Sequence, residues 1–97
     1  MEVDVSKLKN TVSQSYIDAL YREADKSERI VFDKCLVLSV KLPNGFVITE
    51  SSACVDPKNF SVKVGLQICE EKIKNKLWEL EGYRLQCEVK ERNFTPA

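Results

Sequence analysis

The chain contains no histidine. That removes the commonest general base, the commonest metal ligand and every Ser-His or Cys-His nucleophile pair. It has no glycine-rich phosphate loop either, because Gly45, Gly65 and Gly82 stand far apart. Each of them suits a local role instead: a turn, a close approach and a helix end. No apolar run approaches the roughly 18 residues that suggest a membrane span. The polar start (Glu2, Asp4, Lys7, Lys9) offers no apolar signal-peptide core, so the product is expected in the cytoplasm, with no membrane partner. Charge of one sign is missing too: Lys+Arg number 15 and Asp+Glu 15, and the two signs stay nearly level within residues 1–29, 30–60 and 61–97. A nucleic-acid surface draws most of its non-specific affinity from a basic stripe. None is present, and an acidic nucleic-acid mimic is equally unsupported.

Cysteine is the one chemically versatile residue present. Cys35, Cys54, Cys69 and Cys87 are separated by 19, 15 and 18 positions. Structural zinc sites pair their ligands at Cys-x2–4-Cys spacing, so no metal is expected. In a reducing compartment the four read as free, mostly buried thiols rather than two disulfides. The carboxylates do not pair for acid–base work. Glu70 and Glu71 are adjacent, Glu79 and Glu81 alternate, and on a helix such neighbours point to different sides. Glu70 and Lys74 instead have the i, i+4 spacing of a solvated ion pair. No catalytic residue, cofactor site or metal site is assigned, and the chain is not expected to be an enzyme.

What is present suits one small globular domain. Ninety-seven residues, 43% hydrophobic and 31% charged, fill one core without splitting. Residues 1–10 read as a loose arm and residues 93–97 as a frayed tail. Thr11 with Gln14 matches a capping box, and Tyr16, Ile17, Leu20, Tyr21 and Ala24 share one face, which predicts a helix over about Val12–Asp25. Asp25-Lys26-Ser27-Glu28-Arg29 reads as a polar connection. Leu36, Leu38, Val40 and Leu42 then alternate with Cys35, Val37, Ser39 and Lys41, a strand with one strongly apolar face. Asn44-Gly45 is a hairpin signal because both residues tolerate positive φ. Phe46–Thr49 return as the second strand, extending through Val55 with room for a bend at Ser51-Ser52.

Asp56-Pro57 marks a helix start, with Asn59 as a competing cap and a short turn over 56–60 as the alternative. Val62, Leu66, Cys69, Ile73, Leu77 and Leu80 form a narrow apolar stripe that should pack on the hairpin. Gly65 in mid-helix costs about 1 kcal/mol against Ala and points to a close neighbour. The helix is expected to end near Leu80 or Glu81, with Gly82 as its left-handed C′ residue. Tyr83–Val89 alternate apolar and polar residues, and the reading favours a third strand there over a further helical turn. The fold expected is α+β: an N-terminal helix, an antiparallel β-hairpin, a long C-terminal helix and a third strand after it.

Trp78 stands apart, about 160° around the helix from the stripe. It lies beside Lys74 and near Val64 and Ile68 on the wheel. Either the N-terminal helix covers it through Tyr16, Leu20 and Ala24, or it belongs to an interface, since Trp is enriched at binding hot spots. Val64, Ile68, Lys74 and Trp78 are therefore the candidate interface.

Three blocks carry a resemblance: Leu42-Pro43-Asn44-Gly45-Phe46, then Ser52-Ala53-Cys54-Val55-Asp56-Pro57-Lys58-Asn59-Phe60, then Lys76-Leu77-Trp78-Glu79-Leu80-Glu81-Gly82-Tyr83-Arg84-Leu85. Together, over about residues 15–88, the chain resembles a family of small tailed-phage and prophage proteins, the phage gp forty-nine / gene sixty-six family. The resemblance implies a phage-encoded accessory protein acting in the cytoplasm of an infected bacterial cell. It carries no activity and no catalytic residue, and it places Cys54 beside a helix cap in a packing role. Two binding functions follow as expectations. The first is a protein-interaction module that self-associates as a homo-oligomer or engages a host protein. The alternative is a small-molecule binder for nucleotide signals, using Tyr21, Phe46, Trp78 and Tyr83 with Lys74, Lys76 and Arg84.

Overall fold

The computed structural model describes residues 11–93, with side chains through Glu91. The arm assigned to residues 1–10 and the tail beyond Asn93 lie outside the described residues. Helix α1 (Gln14–Glu23) opens on Ser13, whose Oγ accepts from the Tyr16 N–H at 3.2 Å. Thr11 is not the cap. Gln14 does not reach back as a capping box requires, and its amide donates forward to Asp18 at 2.9 Å. The helix stops at Ala24, whose extended backbone (φ −76°, ψ 146°) turns the chain into a strand.

That strand corrects the sequence reading. Asp25–Arg29 is no connection but most of β1 (Asp25–Val31), which pairs antiparallel with β2 (Cys35–Lys41). Every β1 residue before Val31 is exposed, so no face of it had to be apolar. Its backbone pairs because β2 would otherwise leave a ladder edge beside the core, and buried N–H and C=O groups need partners. The reversal at Phe32-Asp33 uses positive φ at both residues (55° and 56°), with the Lys34 N–H on the Val31 carbonyl at 3.3 Å. Mirror-image hairpin turns demand that conformation, but neither residue signals it as Asn-Gly does.

The second hairpin falls where Asn44-Gly45 signals it, with positive φ at Gly45 but not at Asn44. Strand β3 (Val47–Ala53) pairs with β2 in the register Lys41↔Val47 to Cys35↔Ala53, giving the sheet order β1-β2-β3. Gly45 supplies φ 94°, and its N–H meets the Leu42 carbonyl at 2.8 Å. The strand runs through Ser51-Ser52 without a break and ends before Cys54. The third strand thus precedes the long helix rather than following it.

Asp56 and Pro57 start a short 3-10 turn (Pro57–Asn59), with the Asp56 carboxylate accepting from Lys58 N–H at 2.9 Å. Ser61, not Asn59, then caps the main helix through Val64 N–H. Helix α2 (Val62–Asn93) is about 48 Å long at 1.5 Å per residue. Cys69, Ile73 and Leu77 from the expected stripe are buried, together with Leu36, Leu38, Val40, Leu42 and Ile48 of the sheet and Ile17 and Ala24 of the N-terminal segment. Val62 and Leu80, at the stripe's ends, stay partly exposed. Gly65 lies against Leu36, so the close approach inferred from its position is real.

Helix α2 does not stop at Gly82, and Tyr83–Val89 are helical rather than a strand. Their apolar residues split into two i, i+4 pairs, Leu85 and Val89 half-buried on one side, Tyr83 and Cys87 exposed on another. A period of two over seven residues therefore hid a period of about four. Arg84 reaches Glu81 across Gly82 and Glu88 one turn further on, each at 2.7 Å. Among the described residues no helix is long and apolar enough to cross a membrane.

Candidate functional site

Helix α2 packs over β2 and β3, and α1 packs on α2, but neither lies along β1. The helical layer is therefore incomplete, and a groove of about 770 Å³ opens between the inner face of β1 and the first half of α2. Leu38 forms its floor; Val62 and Leu66 form an apolar wall; Lys26, Glu28, Lys63 and Glu70 stand on its rim. Tyr21 closes one end. Its ring is flanked by Lys26 Nζ at 4.5 Å and Lys74 Nζ at 5.3 Å from the centroid, favourable placements over an aromatic face. Burial, and then the negative charge of Glu70, push the Tyr21 phenol above its ordinary pKa, so it is a neutral hydrogen-bonding group at pH 7.

The charges next to the groove are tied to one another. Lys74 bonds Asp18 at 3.0 Å and Glu70 at 3.6 Å, joining α1 to α2. The hydrogen bond from Lys74 is the main cause that holds Asp18 below the usual carboxylate range, and the same bond raises Lys74. Lys26 donates to the Ala24 carbonyl at 3.2 Å.

The candidate interface is not gathered into one patch. Val64 and Ile68 are partly exposed and face a shallow hollow lined by Ser52, Cys54 and Phe60. Lys74 is held under α1 by its ion pairs. Trp78 is half-buried against the core, beside Val12, Gly82 and Leu85. The segment from Val12 through α1 thus lies along the Lys74–Trp78 side. The aromatic residues considered for nucleotide stacking are also spread out. Phe46 and Arg84 share a cleft with Leu42, Leu77 and Leu80, whereas Tyr21 and Trp78 line separate hollows.

The sequence marks Tyr21, Leu38, Val62, Leu66 and Glu70 of the groove's lining, but not its β1 side. Lys26 and Glu28 were assigned to a loop, and only their charge order, not any apolar period, marks them out.

All four cysteines are free, but only Cys69 is buried; Cys35 and Cys54 are half-buried and Cys87 is exposed. The expectation of mostly buried thiols fails because Cys35 sits on the sheet's open outer face and Cys87 on the exposed part of α2. Cys54 donates its S–H to the Asp56 carbonyl at 3.1 Å, at the start of the 3-10 turn. Burial pushes the Cys69 thiol above its ordinary pKa, which suits a core residue rather than a nucleophile. Among the described residues no three His, Cys, Asp or Glu side chains cluster as a metal site would require.

Among known proteins, the model of the Phage protein (N4 Gp49/phage Sf6 gene 66) family matches residues 5–89. No curated protein and no solved structure matches.

Proposed function

The chain belongs to the Phage protein (N4 Gp49/phage Sf6 gene 66) family, and from that premise we propose that it is a non-enzymatic accessory protein that works by binding another protein. Its partner is a host factor or a second copy, met in the cytoplasm of the infected bacterium. One observation carries this reading: the helical layer stops short of β1 and leaves a groove with an apolar floor and a rim of both charge signs. Apolar centres within polar rims are the common anatomy of protein-binding surfaces. The lack of histidine and the raised, buried Cys69 thiol support binding over catalysis.

A nucleotide-signal ligand is the alternative, favoured by Lys26 and Lys63 reaching the same groove as the Tyr21 ring. Capture from infected cells with wild type and Val62→Glu separates these readings. Val62 opens α2, where an added carboxylate suits the helix dipole, so the fold should survive. Loss of captured protein from the variant is the expected result. Identical partners for both would overturn the groove as the binding surface. Stabilisation of wild type by cyclic nucleotides in a thermal-shift assay, with no captured protein, would favour the alternative.

A further inference from the structure

Among the described residues β1 is an edge strand, and no strand lies beside the backbone groups on its outer side. Its charges come in an order that fits a second copy of itself. From Asp25 to Arg29 the signs run minus, plus, neutral, minus, plus. Read backwards, each sign meets its opposite. We propose that two copies join β1 to β1 antiparallel about a two-fold axis at Ser27. Asp25 then faces Arg29 of the second copy, Lys26 faces Glu28, and Ser27 faces Ser27, with each charge pair formed twice.

The pairing respects the faces of the sheet. Residues directly opposite in an antiparallel pair project from the same face. Lys26 and Glu28 are paired in β1–β2 with Val40 and Leu38, so they share the inner face. Asp25 and Arg29 are paired with Lys41 and Val37, so they share the outer face. Two attractive pairs therefore form on each face. Slipping the register by two residues either way places Glu28 against Glu28 or Lys26 against Lys26, so the charge order admits one register. Among the described residues Asp25, Glu28 and Arg29 form no ion pair within the chain, and Lys26, which bonds the Ala24 carbonyl and lies over the Tyr21 ring, forms none either.

The result is a six-stranded sheet with an α2 helix over each outer half. No helix lies along either β1, so the two grooves meet as one trough lined by both copies. The inference rests on the reading of the chain as a binding module and names its partner as a second copy.

The test is sedimentation of the purified full chain and three variants. Wild type should form a dimer that weakens with salt. Lys26→Glu and Glu28→Lys each turn two attractive pairs repulsive and should weaken the dimer roughly tenfold or more. Mixing these two variants should restore a dimer, because the mixed species has only attractive pairs. Lys26→Glu/Glu28→Lys should dimerise by itself. A monomeric wild type, single variants that stay dimeric, or a mixture that stays monomeric would each overturn the pairing. Circular dichroism on every variant excludes unfolding as the cause. Because sedimentation needs no host factor, its failure leaves the capture experiment with Val62→Glu to judge the groove independently.

Discussion

Gly82→Ala tests the point on which local signal and structure disagree most sharply. If Gly82 sits inside α2, an alanine there gains the helix propensity that glycine lacks, about 0.5–1 kcal/mol. Among the described residues a Cβ at Gly82 would meet nothing within 4 Å, so no steric cost offsets the gain. If Gly82 were instead a left-handed C′ residue, alanine would be strained by about 1 kcal/mol and the variant would be less stable. The two structures thus predict opposite signs. Gly65→Ala is the internal control. It gains the same backbone term, but its Cβ would come 3.1 Å from Leu36 Cδ2 and 3.3 Å from Leu36 Cβ. Leu36 is fully buried and has little room to yield, so overpacking of about 1–3 kcal/mol outweighs the gain. Urea unfolding of the three proteins reads both changes, and in a thermal melt 1 kcal/mol moves a domain of this size by roughly 4–8 °C. A Gly82→Ala variant less stable than wild type would refute the continuous helix.

Two further outcomes are expected. Lys74→Met should flatten the acid limb of stability: Asp18 is depressed mainly by Lys74, so its contribution is present above an ordinary carboxylate pKa of about 4 and is lost as pH falls through the lower folded value. Urea midpoints from pH 6 to pH 2 should therefore fall less steeply in Lys74→Met, and an unchanged slope would show that the Asp18–Lys74 bond does not form in solution. Replacing Phe32-Asp33 by Asn-Gly should stabilise by roughly 1 kcal/mol, because both positions hold positive φ and Phe32 is 85% exposed with no packing to lose. A loss of stability on urea unfolding would mean that Phe32-Asp33 does not form this turn.

The elements legible in sequence were those whose signal is local or lies on a covered face. Asn44-Gly45 announces its turn through backbone freedom, and Cys69, Ile73 and Leu77 announce theirs through a stripe that one sheet face buries. β1 could not be read this way. Among the described residues it is an edge strand with neither side covered, so burial imposes no alternation on it, and its pairing is dictated by β2, a partner some ten residues away. The end of α2 misled for the opposite reason: Gly82 carries a strong local stop signal, yet the helix runs on through it, with Arg84 bonded to Glu81 and Glu88. The groove was invisible because it depends on how far α1 extends over the sheet. Ten helical residues leave β1 bare, and nothing in the spacing of Ile17, Leu20 and Tyr21 reveals that shortfall.

The charges on β1 admit a plainer explanation, that they merely blunt an exposed edge against aggregation. The two explanations differ in what they ask of sign. An edge protected by charge is best served by one sign, because every antiparallel self-pairing then repels. β1 instead carries two of each, in the order that makes one self-pairing attractive throughout. The magnitude also bounds the expectation. Four cross-strand pairs at about 0.2–1 kcal/mol each supply roughly 1–4 kcal/mol, well short of the 8.2 kcal/mol that corresponds to a micromolar dissociation constant. The remaining affinity must come from the backbone ladder between the two β1 strands and from contacts where the grooves meet. A weak, salt-sensitive dimer is therefore the consistent outcome.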